Sequence, residues 1–397
     1  MLRVTTLYAG SAAATAKYYT KYLTQAPGEQ PGVWLGGQAD GLGLSGEVST
    51  DALELLLTGC DPTTGVTLGY PLQDRTSANG TVIRAVAGFD AMVSAPKSLS
   101  VWWALTGDEG LAECHDVAVA AVVKCLERFG STTRIRSNGG RLHPDSQGLI
   151  VAAFRQTTSR LDDPQLHTHL VVSAKVQTDD GRWLALDARV LKRHQRSLGG
   201  LYQSVLRAEL TDRYGVAFTE IVNGQAEIAG VPTELIGQFS KRAAQVRGEL
   251  QVKVADFVQR EGRHPTRFEH AALEREAAAD TRARKTVNVV PDLPTRWRTE
   301  AAGIGVTAES LGEWIHAAAR ATVQPVKVSV AEVIEDLSQQ RSAWHRRGIH
   351  RREPRRSRRR PEQLPMNTVC DQRAPRDVPC RVGEGSLCGR PRARSAR

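Results

Sequence analysis

The chain has 397 residues with six Cys, and 53 Lys and Arg against 43 Asp and Glu give it a formal net charge of +10. That length allows two or three domains with a sizeable core, and six Cys are too sparse for a disulfide-stapled miniprotein. The longest apolar run, residues 117–123, ends at Lys124, well short of the roughly 18 residues of a bilayer span, and no apolar leader follows Met1, so the expectation is a cytoplasmic protein with reduced thiols and no membrane insertion.

In chain order, Ser11 can cap a helix over residues 12–25, closed by Pro27 and Gly28. Tyr18 and Tyr22 share a face of that helix, and Tyr19 lies about 100° round. Such a stripe suits a core, but a tyrosine beside a base or a metal also serves as a nucleophile. A Gly-rich loop runs to Gly46, and Thr50 or Asp51 caps a second helix ending at Gly59. Residues 82–93 read as a strand, and Ser94 and Pro96 open a helix behind it. Leu111, Cys114, Val117, Ala118, Ala121, Val122, Cys125 and Leu126 follow the three-to-four spacing of an amphipathic helix over 108–129.

Residues 148–156 and 165–177 are apolar runs of strand length with a short turn between them, which predicts an antiparallel pair. Asp179, Asp180 and Gly181 turn the chain into a further short strand. Helices are predicted over 197–214, 233–261 and 266–285. Inside the second strand stand His167 and His169. Side chains two apart on a strand share a face, so both imidazoles project together, as metal ligation requires; a polar sheet face is the alternative. Asp90 lies in the other apolar strand, where a carboxylate needs a partner. It either bonds a backbone turn or serves as proton acceptor and orienter of a metal ligand.

The charge is confined to one end. Residues 346–397 hold 16 Arg, no Lys and five acidic residues, leaving the rest of the chain near neutrality at −1. This segment has no Phe, Tyr or Trp, and it predicts a disordered tail. It reads either as a basic arm for DNA or as a non-native terminus of the kind an out-of-frame read produces. Cys370, Cys380 and Cys388 lack the close pair of a zinc site.

Several of these segments, taken together, resemble one family. The stretches 154–172 (FRQTTSRLDDPQLHTHLVV), 89–101 (FDAMVSAPKSLSV), 17–22 (KYYTKY) and 41–48 (GLGLSGEV) are similar to the relaxase domain of MobF-class conjugative relaxases, which are HUH (His-hydrophobe-His) endonucleases. The resemblance spans roughly residues 1–290. It implies an α+β fold, an antiparallel sheet flanked by helices, and nicking of single-stranded DNA at a plasmid origin of transfer. Tyr18 or Tyr19 would attack a phosphodiester and keep a 5′-phosphotyrosine. His167 and His169 would hold Mg²⁺ or Mn²⁺, with Asp90 beside them.

The family's third His is replaced by Gln156, leaving a weaker oxygen ligand, a water or His143 for that place. Thr168 stands where the motif name implies a hydrophobe. Lys97, Arg155 and Arg160 lie within the matched segments and are candidates for phosphate contact, as is the basic cluster over 188–196; Trp102 and Trp103 could stack bases but fit a helix core better. Long members continue into a helicase, but this chain has no G-x-x-x-x-G-K-[ST]. Residues 328–346 resemble the start of that continuation. The expected organisation is a relaxase domain over 1–290, a linker and truncated helicase start over 291–345, and the tail.

Implied partners are single-stranded origin DNA, a type IV secretion coupling protein and accessory DNA-binding proteins. Two other readings stay open. One is a catalytically weak remnant that binds origin DNA as a regulator. The other is a rolling-circle replication initiator, against which the position of the tyrosines ahead of the His motif counts.

Overall fold

A computed structural model of the chain describes residues 2–22, 29–137, 140–144, 146–282 and 292–321. Its centre is one antiparallel sheet of five strands: β1 (Leu2–Tyr8), β2 (Val33–Leu35), β3 (Val86–Ser94), β4 (Val151–Thr158) and β5 (Pro164–Ser173), in the order β1-β3-β5-β4-β2. The fold is therefore α+β, with helices on both faces of the sheet. Because side chains alternate along a strand, each central strand feeds two cores. Phe89, Ala91, Val93, Val151, Ala153, Leu166, Leu170 and Val172 belong to the larger one. Ala152, Phe154 and Val171 belong to the smaller one. Burial on both faces explains why the two central strands read as nearly unbroken apolar runs.

The smaller core is closed by α1 (Ala12–Lys17) and α2 (Thr50–Thr58), which contribute Ala12, Ala16, Leu53, Leu56 and Leu57. Each such leucine contributes about 1.5–3 kcal/mol relative to exposure. The larger core is closed by α3 (Lys97–Thr106), α4 (Glu109–Gly130) and α5 (Arg189–Tyr214). The predicted apolar stripe of α4 is the buried one: Leu111, Cys114, Ala118, Ala121, Val122 and Leu126 all face inward. Beyond them lie α6 (Lys241–Glu261), α7 (Arg267–Asp280), α8 (Leu293–Ala302) and α9 (Ala308–Ala321).

Several element ends differ from expectation. Ser11 occupies the cap position, but its hydroxyl donates back to the Tyr8 carbonyl at 3.0 Å. Ser49, not Thr50 or Asp51, caps α2 by accepting from the Ala52 amide at 3.1 Å. Pro96 is itself the N-cap of α3, while Ser94 still belongs to the strand. The strand expected over 165–177 divides at Ala174, whose amide bonds the Ala87 carbonyl; residues 175–177 then pair with 183–185. The helix expected over 233–261 breaks between 238 and 241, and α5 begins eight residues earlier than its apolar pattern suggested. Gly36 needs its missing side chain: its φ is +102°, and a Cβ there would lie 2.3 Å from the Leu149 carbonyl oxygen.

The core does not end at residue 290. Leu293, Trp297, Ala301, Val306, Leu311 and Ile315 join the larger core, and the Trp297 indole donates to the Asp162 carbonyl at 2.7 Å. The start of the expected linker is thus two packed helices. Pro27 and Gly28, residues 328–346, the Arg-rich segment and its cysteines lie outside the described residues. No helix of the described residues is long and apolar enough to cross a membrane.

Candidate active site

The antiparallel register assembles the polar residues of the central strands. Gln156 pairs with His167 across β4 and β5, and Ser94 pairs with His167 across β3 and β5. His169 stands opposite Met92 and Phe154. Asp90, Gln156, His167 and His169 consequently share one face, that of the smaller core. Asp90 joins them chemically: its two oxygens lie 2.9 Å from His169 Nδ1, and its Oδ2 accepts the Tyr19 hydroxyl at 2.8 Å.

The carboxylate fixes the His169 tautomer, with the proton on Nδ1. His167 Nδ1 lies 2.8 Å from the Gln165 carbonyl, which fixes the same tautomer there. Nε2 is thus the nitrogen that each ring offers a cation, and the two ring centroids are 5.3 Å apart.

Gln156 supplies the test of whether a metal fits. It is only 4% exposed, and its amide Nε2 is buried with no hydrogen-bond partner. An orphaned polar atom in such a place is costly. Half a turn of the amide exchanges nitrogen for oxygen and puts an acceptor lone pair in that corner beside the imidazoles. Two neutral imidazoles and an amide oxygen suit a divalent cation that also binds phosphate oxygen. Among the described residues, no three His, Cys, Asp or Glu side chains converge as a metal set; the polar side chain that the register sets beside His167 is Gln156. His143 sits 3.8 Å from Asp187 instead, with its side chain half exposed.

The tyrosines arrive on an irregular turn. After α1 the backbone widens into a π-helical turn over Tyr18–Tyr22, a geometry that often marks functional sites. It turns Tyr19 into the smaller core, 3% exposed, with its ring stacked on Phe154 at 5.2 Å and edge-on to His169 at 5.5 Å. Burial, then the charge and hydrogen bond of Asp90, raise the Tyr19 hydroxyl far above its ordinary value. Tyr18 is half-buried and meets Tyr19 edge-on at 5.3 Å. Burial raises its hydroxyl and Asp90 adds to that, but the guanidinium groups of Arg160 and Arg282 pull it back. Of the two hydroxyls, Tyr18 is the one whose phenolate has cations to stabilise it.

The three candidate phosphate contacts separate. Arg160 stands near Tyr18, as their electrostatic influence on one another records. Arg155 has the opposite parity on β4 and points to the back of the sheet, where it pairs with Asp116 at 2.7 Å and Glu109 at 3.1 Å. Lys97 donates to the Pro164 carbonyl at 2.7 Å, and burial lowers its ammonium to about 8. Trp102 is buried and Trp103 meets Trp297 at 6.1 Å, so both serve packing. Two residues escaped the sequence reading. Glu29 accepts from the amide and hydroxyl of Thr157, beside Gln156. Arg282 comes to Tyr18 from the end of α7, and no local pattern announces it.

Comparison with known proteins bears on this arrangement. The model of the TrwC relaxase family matches residues 4–304. The multifunctional conjugation protein TraI of Escherichia coli is 34% identical over 254 residues, as is its counterpart from strain K12; the match covers 60% of this chain and 14% of the relative. This chain therefore spans only a small part of those relatives' length. Among solved structures, the metal-bound conjugative relaxase TrwC in complex with oriT DNA superposes with a TM-score of 0.64 at 28% identity, covering 78% of this chain and 100% of that one. TrwC complexed with a 27-mer DNA comprising the recognition hairpin and the cleavage site gives 0.63 at 27% identity, with the same coverage.

Proposed function

The chain belongs to the TrwC relaxase family, and we propose that it nicks one strand of DNA at a plasmid origin of transfer and holds the cut end as a 5′-phosphotyrosine on Tyr18. The observation that carries this reading is the meeting of the π turn that bears Tyr18 and Tyr19 with the Asp90, His167, His169 and Gln156 face of the sheet.

Tyr18 Oη attacks the phosphorus. The Oη–P bond forms as the bond from phosphorus to O3′ breaks, and the tyrosine proton passes through Asp90 to leave on the free 3′-OH. Arg160 and Arg282 favour the phenolate as it develops and bring positive charge toward the phosphate. Tyr19 has a different task. Its buried hydroxyl holds Asp90, and Asp90 holds His169. His167, His169 and Gln156 would hold Mg²⁺ or Mn²⁺, which when bound polarises a phosphoryl oxygen and offsets charge in the transition state. The phosphotyrosine conserves the energy of the broken bond, so the strand can be rejoined. Single-stranded origin DNA is the substrate; a type IV coupling protein and accessory DNA-binding proteins are its partners in the cytoplasm.

One residue favours a second reading, a DNA-binding regulator that no longer cuts: Gln156, an amide in the place of a third imidazole. A single experiment separates the two. The full chain is incubated with a labelled single strand carrying its own transfer origin, with Mg²⁺, Mn²⁺ or EDTA, and resolved on a denaturing gel. A metal-dependent covalent adduct is expected, absent in Tyr18→Phe and reduced but present in Tyr19→Phe. An adduct that survives Tyr18→Phe moves the nucleophile elsewhere. Binding without an adduct in any metal establishes the regulator.

A further inference from the structure

Thr168 separates the two histidines and points the other way. It is 3% exposed and lies on the back of the sheet. There its Oγ1 is 2.8 Å from His115 Nε2, and His115 Nδ1 is 2.6 Å from the Tyr202 hydroxyl. His115 and Tyr202 are both fully buried, and their rings meet edge-on at 5.5 Å. His115 belongs to α4, Tyr202 to α5 and Thr168 to β5, so one unbroken hydrogen-bonded chain ties the strand to both covering helices. Burial holds the His115 imidazole down at about 3. A neutral ring has one N–H and one lone pair, and two hydroxyls satisfy both.

We propose that His115 is a positioning residue: through Thr168 it fixes, from behind the sheet, the rotation of the strand segment that aims His167 and His169. The argument is geometric. Leu166 and Leu170 flank Thr168 on the same back face and are wholly buried, but apolar contact has no direction and tolerates small rotations of the strand. A hydrogen bond is directional and weakens steeply as its angle closes. The bond lies at the residue between the two imidazoles, so a twist that displaces either ring must also break it. A sheet face carrying only apolar side chains would bury the strand equally well, yet leave its roll unpinned.

The inference rests on His167 and His169 as metal ligands, and its test keeps the two claims apart. Mn²⁺ binding to the full chain is measured by titration calorimetry, with a thermal melt of each variant. Thr168→Val keeps the side-chain shape and removes the hydroxyl; Thr168→Ser keeps the hydroxyl. Thr168→Val should weaken Mn²⁺ binding about tenfold, as loss of ligand-orienting partners does, while Thr168→Ser retains wild-type affinity. His115→Phe should reproduce the Val effect where its melt shows a folded protein. Wild-type affinity in Thr168→Val, with His167→Ala impaired, overturns the positioning role and leaves a purely structural bond. Wild-type affinity in His167→Ala, or no uptake of Mn²⁺ by the wild type, overturns the ligand reading and the inference with it.

Discussion

Tyr18 and Tyr19 are neighbours in sequence with opposite surroundings. One hydroxyl is buried against a carboxylate; the other has two guanidinium groups nearby. Nothing in the local sequence separates them, because Phe154, Asp90, Arg160 and Arg282 all come from distant segments. The histidine pair was legible, since strand alternation alone puts residues 167 and 169 on one face. His115 was not: it stands in the apolar stripe of α4, and only the fold shows that a hydroxyl awaits it on each side. Its titration makes a prediction. Unfolded imidazole takes a proton at its ordinary 6.5, whereas the buried one takes it only at about 3. Below 6.5 the unfolded state therefore binds more protons, and stability falls as pH drops through that window toward the folded value. Above 6.5 the contribution is fully present. Urea midpoints measured across this range should fall less steeply in His115→Gln than in the wild type; parallel curves would mean that His115 is protonated in the folded state.

The turn between β4 and β5 shows how elements hold the site. It carries Arg160 and precedes the histidines, so its shape matters to both. Asp163 at its end is completely buried. It accepts the Lys241 backbone N–H at 2.9 Å and faces the Lys241 ammonium at 3.2 Å; that ammonium also bonds Glu300 at 2.7 Å. One carboxylate thus anchors the first turn of α6, favourably placed for the helix dipole, and through Lys241 reaches α8. Asp163→Ala should cost about 1.5–3 kcal/mol, the range for hydrogen bonds to a charged group, read as a drop in unfolding free energy in urea. An unchanged midpoint would show that α6 is held by other contacts. The Asp-Asp-Pro turn was visible in the sequence as a turn. Its second task, as an anchor for a helix nearly 80 residues on, lies in tertiary structure alone. The π turn is likewise invisible to a helical wheel, which assumes a constant pitch.

For the molecule as a whole, the antiparallel pairing of β4 with β5 and the amphipathic helix α4 followed from apolar pattern and turn chemistry; the flanked antiparallel sheet came with the family resemblance, and the edge strands β1 and β2 carried no such pattern. The end of the core did not. Residues 291–321 lie past the stretch that carries the family resemblance, which placed them in a linker. Yet Trp297, Leu311 and Ile315 are buried in the larger core, and a Cβ on Gly230 would lie 2.4 Å from the Trp314 carbonyl oxygen, so close do the segments run. A chain stopped at residue 290 should melt at lower temperature than one stopped at residue 321, and should bind a hydrophobic dye that the longer one does not. Equal melting temperatures would place these helices outside the cooperative unit. The near-neutral body makes local guanidinium groups, rather than a global field, the proposed contacts for DNA.

The strand β5 works on both sides at once, and that governs how this site can change over generations. Leu166, His167, Thr168, His169 and Leu170 leave no idle position: odd numbers carry the proposed metal ligands, and even numbers carry the core or its anchor. Variation there strikes either catalysis or folding. Gln156, on the adjacent strand, is the polar position of the cluster with an uncommitted atom. Glutamine and histidine codons differ only in their last base. On the proposed assignment, the route by which such a protein tunes its hold on a metal, in nature or in a selection experiment, therefore runs through β4 and leaves β5 untouched.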